Sequence, residues 1–193
     1  IQAICDRARD AGSILVIGAP GMAAETPCRR HTAQQVLEWS DGPILLVPSG
    51  QTDTSHTLSR ILVPLDGSSF AEAALAEATR LAQRTGAEVL LAHVIPDAAI
   101  SLFGPPETVD IELRLQLDRR NEAAACGFLE RTRRRFADQG VKVRSLCLSG
   151  DVRSMLQRTI ERERPDLVVL SARGQGGRRC HDLSIGSTAS YLL

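Results

Sequence analysis

The sequence predicts an α/β fold, an open parallel sheet with helices on both faces. Two observations carry this. Short runs rich in β-branched residues recur along the chain, and most are apolar without alternation, as strands buried on both faces are. The segments between them are long enough for crossover helices, which connect parallel strands in the right-handed sense.

The strands are expected in order at "SILVIG" (13–18), "PILLVP" (43–48), "RILVPLD" (60–66), "AEVLLAHVI" (87–95), "VKVRSLCL" (141–148) and "DLVVLS" (166–171). The clearest helix is 69–85, where Phe70, Ala74, Leu75, Ala78, Leu81 and Ala82 fall on one stripe. Ser69 and Glu72 have capping-box spacing, and Gly86 suits the C-terminal stop. Segment 151–164 carries Val152, Leu156 and Ile160 four residues apart, and Pro165 ends it. In 109–139, "IELRLQLD" (111–118) alternates as a half-buried strand would, while "NEAAACGFLERTRRRFADQG" reads as helix; we assign the whole segment to helix. Residues 96–108 form a Pro- and Gly-bearing loop.

Apolar residues make up 43% of the 193, enough for a core, and at 3% aromatic that core is aliphatic. Net charge is zero, which argues against nucleic acid or an anionic membrane surface as the main partner. Lys142 is the only lysine, an arginine bias read as genomic. The five cysteines are scattered, odd in number and without C-x-x-C spacing. This speaks against a disulfide framework or zinc site and for a reducing, cytoplasmic setting. No apolar run approaches the ~18 residues of a membrane span, and no signal peptide is recognisable. The chain begins at Ile1, so it is expected to continue upstream.

An internal repeat is legible. "RDAGSILVIGAPG" (9–21) parallels "ERPDLVVLSARG" (163–174), and each is followed by a helix, "HTAQQVLEWS" (31–40) and "GSTASYLL" (186–193). Residues 1–50 read as the back part of one domain and 51–57 as a linker. Residues 58–193 read as a second domain lacking its last strand. An isolated fragment of this kind is expected to associate through its exposed strand edge.

Ligands of open parallel sheets bind beyond the carboxyl ends of the strands, where the strand order reverses. Two strand ends carry suitable chemistry. In "VPLDGSS" (63–69), Asp66 can accept hydrogen bonds from a ribose or an adenine amine; the structural alternative is that Asp66 and Ser69 only start a helix. In "SARGQGGRRCHDLSIGS" (171–187), glycines allow backbone N–H groups to approach an anion. A helix beginning at Gly186–Ser187 adds unpaired N–H groups. Gly174, Gly177, Gly186 and Ser187 are thus phosphate candidates, with Arg173, Arg178 and Arg179 as added charge. The loop lacks both G-K-[ST] and G-x-G-x-x-G, and a plain glycine-rich connection explains it as well.

"ILVPLDGSSFAEAALAEATRLAQRTGAEVLLAHVI" (61–95) resembles the opening of a universal stress protein domain. "DLVVLSARGQGG…IGS" is similar to that family's nucleotide loop, and "DGPILLVPS" (41–49) to its terminal strand. The resemblance implies a five-stranded parallel sheet of order 3-2-1-4-5 between helices. It also implies pairing, as a homodimer or between tandem repeats, through the last strand. Members act in stress tolerance and signalling, and many bind ATP. By the resemblance, Pro64, Leu65 and Asp66 contact adenine and ribose, Val94 flanks the base, and Leu170 and Ser171 line the floor. Gly174, Gly177, Gly186, Ser187 and Thr188 take the phosphates of ATP, or of ADP or AMP, with or without Mg.

The family loop runs G-x-x-G, nine residues, then G-[ST], and both copies here depart from it. Ser171 replaces the first glycine, Gly174 matches the second, and eleven residues precede Gly186; counting from Gly177 leaves eight. In the first copy Gly18 and Gly21 match, but His31 stands where the third glycine belongs.

Other features carry less. Cys180-His181-Asp182 cannot form a triad, because adjacent side chains do not point at one another. "RTRRRF" (131–136) suits a solvated helix C-terminus. His93 reads as a hydrogen-bonded core residue, and Cys147 as a small buried hydrophobe. Two functions follow: a nucleotide-binding stress regulator with at most slow ATP hydrolysis, or a nucleotide-free interaction module on the same fold. A weaker third is an enzyme of the wider adenine-nucleotide hydrolase group.

Overall fold

The computed structural model describes residues 14–19, 35–37, 40, 42–48, 57–97, 107–174 and 185–192. The chain divides into two compact units, 57–175 and 1–56 together with 176–193.

The larger unit is an α/β sandwich. Its strands are β3 (Arg60–Pro64), β4 (Glu88–Ile95), β5 (Val143–Ser149) and β6 (Leu167–Val168). They form one parallel sheet of order β5-β4-β3-β6. Counted within the unit this is 3-2-1-4. The five-stranded order that the resemblance implies is not seen among the described residues; four strands pair here and two in the other unit. The helices are α1 (Ala71–Thr85), α2 (Thr108–Ala137) and α3 (Val152–Glu163).

Period-two alternation divides the buried residues between two faces. Ile61, Val63, Leu65, Val89 and Leu91 point into one cluster with Ala74, Leu75 and Ala78 of α1 and Leu129 and Phe136 of α2. Leu62, Leu90, Ala92 and Val94 lie on the opposite face, where α3 packs and buries Leu156 and Thr159. β3 and β4 are buried almost end to end, which is why they read as unbroken apolar runs.

Local differences from the sequence reading have physical causes. The Ser69–Glu72 capping box does not form. Instead α1 follows an Asx turn in which Ser68 N–H donates to Asp66 Oδ1 at 2.9 Å, and Ser68 Oγ accepts from Ala71 N–H at 3.3 Å. Phe70 therefore precedes the helix and is exposed rather than on the buried stripe. Gly86 ends α1 in the left-handed conformation at φ 74°, as expected. α2 is helical throughout, and the alternating stretch is no strand. On a helix that alternation scatters Val109, Ile111, Leu113 and Leu115 around the cylinder, and all four are exposed. The buried face of α2 begins only at Ala125. Asp151 caps α3 by accepting from Ser154 N–H at 2.9 Å.

The other unit is described by a parallel pair, β1 (Leu15–Ala19) and β2 (Ile44–Pro48), and by α4 (Ser187–Leu192).

Candidate functional site

In the larger unit the chain lays β3, then β4 and β5 outward on one side. It then returns to lay β6 against the other side of β3. The strand order reverses between β3 and β6, so their carboxyl ends are where a parallel sheet of this kind opens a crevice. Asp66 lies two residues beyond β3, and Leu170–Gly174 follow β6.

The two ends meet. A Cβ built on Gly174 would collide with Asp66 Oδ2, so only glycine lets the carboxylate lie against the loop backbone. The carboxylate is held from the other side as well, since its Oδ1 accepts Ser68 N–H. Gly67, at φ 78°, makes the turn that permits this. The contact selects Gly174 as the loop glycine facing Asp66.

Leu65 is pinned on both sides. Its N–H donates to Ala92 O at 2.8 Å, and its carbonyl lies 2.7 Å from His93 Nδ1. A carbonyl only accepts, so Nδ1 carries the proton. His93 also meets Phe128 edge-on, with ring centroids 6.2 Å apart. It is thus the hydrogen-bonded residue the sequence suggested, and it fixes the backbone one position before Asp66. That role has no sequence signal beyond a histidine near an apolar strand end.

Pro64 and Asp66 are half-buried and Val94 buried, all on the α3 side of the sheet by parity. Leu65 has the opposite parity and packs into the α1–α2 core. Leu170 and Ser171 are half-buried at the end of β6, and Ser171 Oγ accepts Arg173 N–H at 3.3 Å. Arg173 is exposed. Gly186, Ser187 and Thr188 lie at the start of α4, in the other unit. Gly177, Arg178, Arg179, Cys180, His181, Asp182 and His31 lie outside the described residues.

The opposite edge of the sheet is filled with ion pairs. Arg60 Nε meets Glu88 at 3.1 Å, Arg144 meets Glu163 at 2.5 Å, and Asp166 Oδ2 accepts both Ser59 and Arg60 N–H at 2.8 Å. The Arg144 and Arg162 guanidiniums hold the Glu163 carboxyl below its ordinary range, against the opposing effect of burial. The basic cluster at the end of α2 is engaged too. Arg133 and Arg134 bind Glu130 at 2.7 and 2.9 Å and push its carboxyl down to about 2. Among the described residues no group of three or more His, Cys, Asp or Glu could hold a metal, and no helix is long and apolar enough to cross a membrane.

The Universal stress protein family model matches residues 57–193. Among solved structures, the chain is similar to universal stress protein UspA from Lactobacillus plantarum. That match has 25% identity over 71% of this chain and 91% of that one, with a TM-score of 0.61. It shares the fold of a universal stress protein from Archaeoglobus fulgidus at 19% identity and a TM-score of 0.62. That match covers 96% of this chain but 60% of the other. An Arabidopsis thaliana family protein described with AMP bound matches at 20% identity over 61% of this chain and 79% of that one, with a TM-score of 0.44.

Proposed function

This chain belongs to the universal stress protein family, and we propose that it is a regulatory protein that binds an adenine nucleotide at the carboxyl ends of β3 and β6. The observation that carries the reading is the Asp66–Gly174 contact at the strand-order reversal. A carboxylate held there accepts hydrogen bonds from a ribose, while Pro64 and Val94 offer an apolar wall to the base. Leu65 contributes through the backbone it fixes, because its side chain belongs to the core. Leu170 and Ser171 form the floor. Gly174, Gly177, Gly186, Ser187 and Thr188 are assigned to the phosphates, and any Mg arrives with them. ATP is the favoured ligand, with ADP and AMP as alternatives. Stress-response signalling, a cytoplasmic setting, a tandem arrangement and pairing of two such domains through the last strand belong to the same reading.

A second reading, a nucleotide-free interaction module, is favoured by Ser171. Its hydroxyl closes the turn on Arg173 N–H where the family loop has glycine.

The deciding test starts from protein purified without added nucleotide. The protein is denatured, the supernatant is chromatographed for ATP, ADP and AMP, and fresh protein is titrated with ATP by calorimetry. Near-stoichiometric nucleotide, or micromolar binding lost in Asp66→Ala, supports the nucleotide sensor. No bound nucleotide and no heat at millimolar ATP replaces it with the interaction module. Gly186→Val with unchanged ATP affinity would remove α4 from the phosphate assignment.

A further inference from the structure

From its place in a strand Cys147 is expected to be a small buried hydrophobe, and the structure corrects this. Cys147 on β5 and Cys126 on α2 are both free and both exposed. Strand alternation puts Cys147 on the same face as Val143, which packs against the core that α2 covers. α2 packs on β5. Its inward residues Ala125 and Leu129 bracket Cys126, which sits about 100° around the helix from Ala125. The two cysteines, twenty-one positions apart in sequence, therefore both lie at the margin where α2 packs on the edge strand. The alignment is set by their neighbours: Cys147 pairs across the sheet with His93, and His93 meets Phe128, two residues beyond Cys126 on α2, edge-on at 6.2 Å. Partial burial of its sulfur, the neighbouring Cys126 thiol and the Glu122 carboxylate push the Cys147 thiol up to about 11, so it stays protonated and uncharged at neutral pH.

We propose that Cys126 and Cys147 are a redox site, a dithiol that a hydroperoxide closes to an intrachain disulfide between α2 and β5. One thiolate attacks a peroxide oxygen, breaks the O–O bond and becomes a sulfenic acid, and the released hydroxide leaves as water. The second sulfur displaces the sulfenic oxygen as a second water and forms the S–S bond. In sum, two thiols and one hydrogen peroxide give one disulfide and two waters: the sulfurs lose two electrons and the peroxide gains them. Proximity makes the second step intramolecular, which favours closure over further oxidation. The site uses no residue of the nucleotide proposal and stands without it.

The test uses the full chain, reduced and then exposed to hydrogen peroxide. Remaining thiols are alkylated and tryptic peptides are mapped. The expected product joins peptide 121–131 to peptide 145–153 within one chain and disappears after treatment with a dithiol reductant. In Cys147→Ser, Cys126 should stop at the sulfenic acid and be trapped by a 1,3-diketone. Alkylation of both cysteines at the same level before and after peroxide overturns the proposal, as does linkage of either one to another cysteine or another chain. The map of the unsubstituted chain decides even if the variant does not fold.

Discussion

Two strand-to-loop junctions carry the same pattern, "ILVIGAPG" after β1 and "LVVLSARG" after β6. Gly18 sits at the first glycine position, and among the described residues a Cβ there would meet nothing within 4 Å. The equivalent position after β6 is Ser171, whose hydroxyl is used in the turn. Three residues on, Gly174 has Asp66 pressed against it. After β6 a serine fits the first glycine position, its hydroxyl taken up in the turn. The second is demanded by a specific carboxylate. A departure at Ser171 therefore weighs less against the site than retention of Gly174 weighs for it.

The contrast can be broken most strongly at Gly174. Gly174→Val forces side chain into the space of Asp66. It should cost about 1–3 kcal/mol of stability in denaturant unfolding, as overpacking does, and abolish measurable nucleotide binding. Asp66→Ala should weaken ATP binding by about 1.5–3 kcal/mol, about ten- to 150-fold by calorimetry, while the fold persists. A double-mutant cycle sharpens the comparison: Gly174→Ala should be destabilising in the parent and nearly neutral in the Asp66→Ala background, a coupling of about 0.5–3 kcal/mol. Additive effects would mean that the two residues do not interact. Ser171→Gly and Gly18→Ser should each stay within about 0.5 kcal/mol of the parent.

The smallest effect lies outside both junctions. The Glu130 carboxyl is depressed to about 2, so its contribution is complete above its ordinary range and is lost as pH falls through the folded value. The pair is exposed, and melting temperatures measured from pH 5 to pH 2 should respond only slightly to Glu130→Gln.

Much of the larger unit was legible because its strands are buried on both faces and leave continuous apolar runs. β3, β4 and β5 lie within a few residues of their expected places. The helix cap was misread because Ser68 and Ser69 are equivalent by composition, and only the turn set by Asp66 and Gly67 decides which one serves. Period two at 111–118 pointed to a strand, yet a long helix continuing from a well-packed second half carries that stretch outward. In the site, Asp66 and Gly174 were both named, but their contact joins residues 108 positions apart and no local pattern encodes it. The His93–Leu65 bond is a cross-element contact of the same kind. Gly186, Ser187 and Thr188 fall with the other compact unit, while the family match over 57–193 takes them in with the second repeat.

β3 is flanked by β4 and β6, and its Ile61, Leu62 and Val63 are fully buried. Such a strand has no route to local fraying, so its amide protons should exchange with deuterium only when the whole unit unfolds. Asp66 stands at the end of that strand. A ligand held there would slow exchange at Ile61–Val63 by the factor 1 + [L]/Kd, making the amides of this buried strand a direct gauge of occupancy at its rim.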